Sequence, residues 1–293
     1  MGADIRFPHL GIEIASLGKG ITIGGFTIAF YGMTIAFGMV MGYLMAVFQA
    51  KRTGQDQEIY LDLALWDIFF AVIGARIYYV VFSWDYYKNN PMEILNTRGG
   101  GLAIYGGVIA GVLTTFVFAK IRKLSFFQLL DTACAGLLVG QIIGRWGNFF
   151  NREAFGGYTD NLLAMQIKKE DVATVNMTHA IAKHIVHVNG TDYVQVHPTF
   201  LYESLWNLGV LLIILFVTKY RKYNGQLFLI YLLGYGLGRT WIEGLRTDQL
   251  KIPGTDLAVS QCLSLLLFVS MLIIIAVRRA KHNKAAEAAS AKQ

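Results

Sequence analysis

Seven stretches of this chain are too apolar for too long to suit a soluble fold. They run over 25–49, 61–83, 101–119, 126–145, 199–218, 226–245 and 257–277. A helix needs about 20 mostly apolar residues to cross the hydrocarbon of a bilayer. The second, fourth and sixth stretches carry charges and are the weaker spans. Of the 293 residues, 55% are hydrophobic and 15% charged, against about 25% charged in soluble domains. Such a chain cannot hide its apolar side chains in one core and keep a polar surface. That excludes an ordinary soluble enzyme, a disordered protein and a nucleic-acid binder. The net charge of +7 suits basic loops on the cytoplasmic face of a membrane, and no nucleic acid is expected as a partner. Cys134 and Cys262 lie in apolar runs, so no disulfide framework is expected. The first stretch is too long and too far from residue 1 to be a secretory leader, and no cleaved signal is expected.

Lysines and arginines set the orientation. The turns after the first, third, fifth and seventh spans hold Lys51-Arg52, Lys120 with Arg122-Lys123, Lys219 with Arg221-Lys222, and Arg278-Arg279 with Lys281 and Lys284. With seven spans all four clusters share one side, which the positive-inside rule makes cytoplasmic. The expected fold is an all-α polytopic membrane protein of seven transmembrane helices, N-terminus outside and C-terminus cytoplasmic. One membrane domain covers 1–280, and 281–293 is a flexible cytoplasmic tail. Residues 84–100, with Trp84, Tyr86 and Tyr87, suit the headgroup level. The polar segment at about 146–198 predicts a small extracytoplasmic head, within which Tyr193–Val196 alternates like a short strand. Glycines spaced four apart (Gly38/Gly42, Gly107/Gly111, Gly136/Gly140/Gly144, Gly234/Gly238) predict close helix packing.

Ionisable residues inside spans are costly and mark functional candidates. They are Asp67, Arg76, Asp131, Arg145, Glu203, Arg239 and Glu243. Asp131 lies near the cytoplasmic end of its span and is expected to reach water. Arg76 suits either a carboxylate from another span or a function. Arg239 and Glu243, four apart, share a helix face, as a local ion pair or as part of a site. Arg145 occupies the matching outer end of the fourth span, and Arg246 follows Arg239. Three arginines can therefore converge just below the outer surface. Glu153, Glu203 and Glu243 supply part of the compensating charge, and an anionic ligand would supply the rest. Arginine forks match phosphate oxygens, and at that depth the abundant phosphate is a lipid headgroup.

The fourth span ends in Gly144-Arg145-Trp146-Gly147-Asn148-Phe149-Phe150-Asn151-Arg152-Glu153-Ala154-Phe155-Gly156. Glycines let backbone turn and approach a ligand, and asparagines both donate and accept. Such a cluster suits a polar pocket at the membrane edge, or a plain helix end with its turn residues. This run resembles the signature of the bacterial prolipoprotein diacylglyceryl transferases. Four other stretches are similar in the same order: Phe30-Tyr31-Gly32, the run from Gly100 through Tyr105 to Gly107, His197-Pro198-Thr199-Phe200-Leu201-Tyr202-Glu203, and Tyr235-Gly236-Leu237-Gly238-Arg239 through Glu243 to Arg246. The resemblance covers about residues 5–278.

The resemblance implies transfer of the diacylglyceryl group of phosphatidylglycerol to the thiol of the lipobox cysteine of a prolipoprotein. The products are a thioether and glycerol phosphate, and the reaction is the first step of bacterial lipoprotein maturation. It implies a multi-pass protein of the bacterial cytoplasmic (inner) membrane, its active site toward the outer leaflet. Phosphatidylglycerol, prolipoprotein lipobox peptides and the bilayer are the partners, and no cofactor or metal is expected. By motif matching, Tyr31, Arg145, Asn148, Asn151, Glu153, Gly156, Arg239 and Glu243 fall on functional positions, and Arg246 belongs to the same sixth-span motif. Where many relatives carry a histidine suggested as the thiol's base, this chain has Tyr105. A phenol, with pKa near 10, is a poor base at neutral pH. Tyr105 is expected to act in catalysis beside Arg145, Arg239 and Glu243, as a hydrogen-bond donor or with its pKa lowered by nearby arginines.

Two other classes compete. A lipid or small-anion transporter would also use intramembrane arginines, but it should show symmetry between its halves, and none is visible. A scaffold without chemistry leaves the arginines unexplained. His179, His184 and His187 match no standard metal spacing.

Overall fold

The computed structural model describes residues 2–97, 100–255 and 257–290, with side chains to 280. It is mostly helical. In chain order the elements are β1 (Ile5–Phe7), β2 (Ile12–Ile14), β3 (Gly20–Ile23), β4 (Phe26–Ala29), α1 (Phe30–Arg52), α2 (Glu58–Phe82), α3 (Trp84–Tyr87), α4 (Ile104–Ile121), α5 (Phe126–Asn151), β5 (Met165–Lys168), α6 (His179–Lys183), β6 (Val186–Val188), β7 (Thr191–Val196), α7 (Thr199–Val217), α8 (Gln226–Leu245) and α9 (Val259–Ser290).

Six helices are long and apolar enough to cross a membrane: α1, α2, α4, α5, α7 and the Val259–Ala280 part of α9. The chain is thus a multi-pass membrane protein. The expected sixth span forms a helix over its expected residues, 226–245, but it falls outside that group. Arg239 and Glu243 occupy its C-terminal half, and three glycines, Gly234, Gly236 and Gly238, thin its apolar surface. The first expected span loses residues 25–29. Gly25 lies in the turn and Phe26–Ala29 forms the far strand of the β3–β4 hairpin, paired Ile21 to Ile28 and Thr22 to Thr27, before α1 starts at Phe30. Exposed apolar side chains line α1, α2, α4 and α9; among the six spans α5 is the most buried and α9 the least.

The chain divides into two compact units. The first comprises Met1–Gly42, Leu137–Tyr220 and Leu229–Gln293. Its sheet has the order β2-β1-β5-β7-β6, antiparallel throughout. The expected strand near 193–196 is β7. The two N-terminal strands complete this sheet from far away in sequence, so it does not consist of 146–198 alone. Alternate residues Ile5, Phe7, Ile167, Val194 and Val196 are buried against Phe149, Phe155 and Phe200. Arg152, within the sequence signature, is a staple of this region. Buried and left-handed at φ 57°, it meets Asp4 and Asp171, each at 3.3 Å, and donates to the Leu17 carbonyl. Burial pushes the Asp4 carboxyl up, but Lys168 at 2.7 Å, with Arg152 behind it, holds it below the usual range.

The second unit comprises Tyr43–Gly136 and Arg221–Phe228. Here α2 and α4 cross at Gly74 and Gly106: a Cβ on Gly106 would land on the Gly74 carbonyl and on Tyr78. Close packing therefore occurs at Gly106 and not at the expected pair, since Gly111 has open space and Gly107 only ordinary contact. Asp131 does not reach water. Fully buried, it accepts from the backbone N–H groups of Gly225 (2.7 Å) and Phe228 (2.9 Å) and faces Arg221 at 3.5 Å. It thereby serves donors that the start of α8 leaves unpaired.

Candidate functional site

Arginine in an apolar helix must find acceptors, because its guanidinium never deprotonates and water is far. Arg76 finds all five in backbone. Its Nε donates to Ile94, Nη1 to Gly100 and Gly101, and Nη2 to Glu93 and Asn96. Its guanidinium also lies 5.2 Å from the Tyr87 ring centre. Gly101 permits this, with φ +76° and no Cβ to strike the guanidinium. Thus Arg76 finds backbone carbonyls in place of the carboxylate partner expected as one alternative, and it pins the loop before α4.

Arg145, Arg239 and Arg246 differ. Arg145, near the end of α5, places Nη2 2.6 Å from Glu203 Oε1. Arg239, on α8, places Nη1 3.4 Å from Glu203 Oε2 and Nη2 2.6 Å from Glu243 Oε2. The last is a charge contact without the alignment of a hydrogen bond. Glu243 Oε1 accepts from Ser260 Oγ at 2.6 Å. Arg246 reaches Glu243 at 3.8 Å and is gripped by Asp248 through Nε at 2.9 Å and Nη2 at 2.7 Å. Burial pushes the Asp248 carboxyl up, yet this two-pronged contact pulls it further down, below the usual range. The structure thus joins the three arginines through Glu203 and Glu243, with Asp248 as the third carboxylate. Three cations face three anions, so the cluster is neutral at rest.

The last turn of α5 continues the site. Arg145 Nη1 points to Asn148 Oδ1 at 3.5 Å. Asn148 and Asn151 both donate to Glu153 Oε1, at 3.1 and 3.3 Å. Glu153 is exposed, and no cation pairs with it among the described residues. Tyr31, in the first turn of α1, lays its ring on Gly147, where a Cβ would sit 2.8 Å from Cδ2. Gly156 has a structural explanation. It bridges to Arg246 and donates to the His197 carbonyl at 3.0 Å, and a Cβ there would meet His197 Cβ at 2.8 Å and the Leu245 carbonyl at 2.9 Å. Only glycine lets these strands of chain cross so closely. His197 faces the Tyr202 hydroxyl at 3.2 Å, and burial lowers its pKa.

Tyr105 belongs to the second unit, at the start of α4. It is half exposed, beside Tyr78 with ring centres 6.5 Å apart. Residue type alone flagged Glu203, but sequence could not show it as the link between Arg145 and Arg239. Ser260 carried no sequence signal, and Asp248 none beyond lying two residues after Arg246.

Comparison with known proteins places the whole chain. A family model described as prolipoprotein diacylglyceryl transferase matches residues 19–277. The phosphatidylglycerol–prolipoprotein diacylglyceryl transferase of Listeria monocytogenes serotype 4a is 43% identical over 263 residues, 90% of each chain. The like-named protein of Clostridioides difficile is 40% identical over 263 residues, 90% of this chain and 95% of its own. That of Halalkalibacterium halodurans is 40% identical over 261 residues, 89% of this chain and 86% of its own.

Proposed function

This chain belongs to the prolipoprotein diacylglyceryl transferase family and is a transferase, and from that premise we propose that it moves the diacylglyceryl group of phosphatidylglycerol to the lipobox cysteine of prolipoproteins. The observation that carries the chemistry is the pair Arg145 and Arg239, drawn from two helices onto one point. The thiolate attacks the glycerol carbon that bears the phosphate. A carbon–sulfur bond forms, the carbon–oxygen bond breaks, and glycerol phosphate leaves. Negative charge grows on the leaving phosphate, and fixed guanidinium groups in a site shielded from water stabilise it. Arg145 and Arg239 hold the phosphate in this reading, and Glu243 orients Arg239. Asn148 and Glu153 receive the glycerol headgroup, and Tyr31 and Asn151 flank it. A thiol with pKa about 8.5 is a few per cent thiolate at pH 7, and a neighbouring arginine raises that fraction. Tyr105 keeps its hydrogen-bonding role on the family resemblance alone.

In the same reading α8 is a seventh span, tolerated in lipid because its charges pair within the protein. The basic ends of α1, α4, α7 and α9 face the cytoplasm, and the sheet is the extracytoplasmic head of a protein of the bacterial inner membrane. Single cysteines near Lys51, Lys120, Lys219 and Arg279 should resist a membrane-impermeant label in intact cells, while one near Thr191 reacts. Labelling at any basic turn would reverse the orientation. The activity is tested with detergent-solubilised protein, phosphatidylglycerol vesicles and a lipobox peptide. A peptide heavier by one diacylglyceryl group is the expected product, and its absence would overturn the assignment.

A further inference from the structure

Glu203 is the only carboxylate among the described residues that touches both Arg145 and Arg239. Its side chain is 7% exposed, too dry to carry a charge unless cations compensate it. Each oxygen takes a different arginine. The α7 backbone beneath it is tied to both partner helices: Ser204 Oγ donates to the Ile142 carbonyl of α5 at 2.9 Å, and Trp206 Nε1 donates to the Gly234 carbonyl of α8 at 2.8 Å. Glu203 therefore stands on a backbone fixed against the two helices that bear the arginines.

We propose that Glu203 is the positioning residue of the phosphate site, a single carboxylate that sets the spacing and tilt of two guanidinium forks. The proposal rests on the transferase reading above, with Arg145 and Arg239 as the phosphate holders. A guanidinium has five N–H donors in a rigid plane. Among the described residues Arg145 commits itself only to Glu203 and weakly to Asn148, and Arg239 only to Glu203 and Glu243. Gripping one edge of each plane leaves other edges for phosphate oxygens. Without the shared carboxylate Arg145 regains its rotamers and Arg239 keeps only its Glu243 contact, so the two forks no longer share one alignment on a phosphate. Glu243 cannot replace it, since it holds Arg239 and not Arg145.

A bystander ion pair would contribute to stability alone, so the test separates alignment from stability. Turnover of the full chain in detergent is measured for wild type, Glu203→Gln, Arg145→Lys and the double variant. Glutamine keeps the shape but presents an amide N–H group to one guanidinium. Glu203→Gln should lower kcat by roughly 30-fold or more in the wild-type background and by less than about fivefold when Arg145 is already lysine, because residues acting as a unit are not additive. Equal losses in both backgrounds, or a near-normal rate for Glu203→Gln, would overturn the proposal. Should Glu203→Gln fail to insert, Glu203→Asp keeps the charge but falls one methylene short of spanning both forks. It should lose about tenfold or more, and a wild-type rate would be equally fatal. A readout free of turnover distinguishes this proposal from the activity itself. Glycerol phosphate should raise the thermal midpoint of wild type and not that of the glutamine variant, and equal responses would refute the positioning role even if no peptide is modified.

Discussion

Two sets of arginines sit inside apolar helices of this chain, and they are satisfied in opposite ways. Arg76 gives its five hydrogen bonds to five backbone carbonyls of one loop. Arg145 and Arg239 meet carboxylates at a shared point and keep donors uncommitted. The first arrangement is saturated, and a ligand could enter only by breaking the loop. The second is neutral yet open, since an anion can take up free N–H edges without stripping existing ones. An intramembrane arginine is expensive in either setting. In the proposed function, what separates architecture from chemistry is the number of donors left over, not burial or charge.

The sharpest way to break this contrast is to change both sets in the same manner. Lysine keeps the charge and loses the planar fork. Arg145→Lys and Arg239→Lys should each lower turnover by about 10²–10³-fold, by analogy with removing one preorganised donor from a transition state, while inserted protein stays near wild-type levels. Near-normal rates for both would remove bidentate phosphate binding from the reading. Glu243→Gln should cost less than either, because Ser260 still anchors the side chain and Glu203 still holds Arg239.

Arg76→Lys should do the reverse. An ammonium has three donors, so at least two of the five carbonyls lose their partner. The 93–97 backbone is largely exposed and regains some water, leaving a net cost of about 2 kcal/mol. Thermal unfolding in detergent should move down, with little change in turnover per folded molecule. A fall in kcat at unchanged stability would erase the distinction between the two sets.

Much of this was legible in the sequence, and the gaps have physical causes. Span positions follow from run length, which is why six helices fall where expected and α8 begins and ends at the expected residues. The β3–β4 hairpin was hidden because Phe26–Ala29 is as apolar as the helix that follows, and hydropathy carries no register. The sheet's use of Ile5–Phe7 depends on pairing with β5 across about 160 residues, which no local pattern records, and Ile12–Ile14 joins the sheet only through Ile5–Phe7. Arg76 was ambiguous because its partners are carbonyls, which every residue has. The convergence of Arg145 and Arg239 was foreseeable from their matching depth. That Glu203 bridges them depends on the crossing of α5, α7 and α8.

Tyr105 probes the unit that holds Arg76. Its place is set by the same backbone: Gly101 turns beneath the Arg76 guanidinium, and Gly106 closes on Gly74. If its phenolate were the base for the thiol, Tyr105→Phe would abolish nearly all turnover at pH 7. The defect would then shrink as pH rises toward the thiol's own pKa near 8.5, because thiolate forms there unaided. If Tyr105 donates a hydrogen bond, the loss should be about 1–3 kcal/mol, roughly ten- to a hundredfold, and nearly independent of pH. The second outcome is expected, since a phenol in water is protonated at neutral pH and guanidinium groups favour thiolate directly. Tyr105→His should retain activity, because imidazole also donates. Rate profiles of wild type and Tyr105→Phe from pH 6 to 9 decide between the roles, and a near-total loss at pH 7 that recovers by pH 9 would make Tyr105 the base.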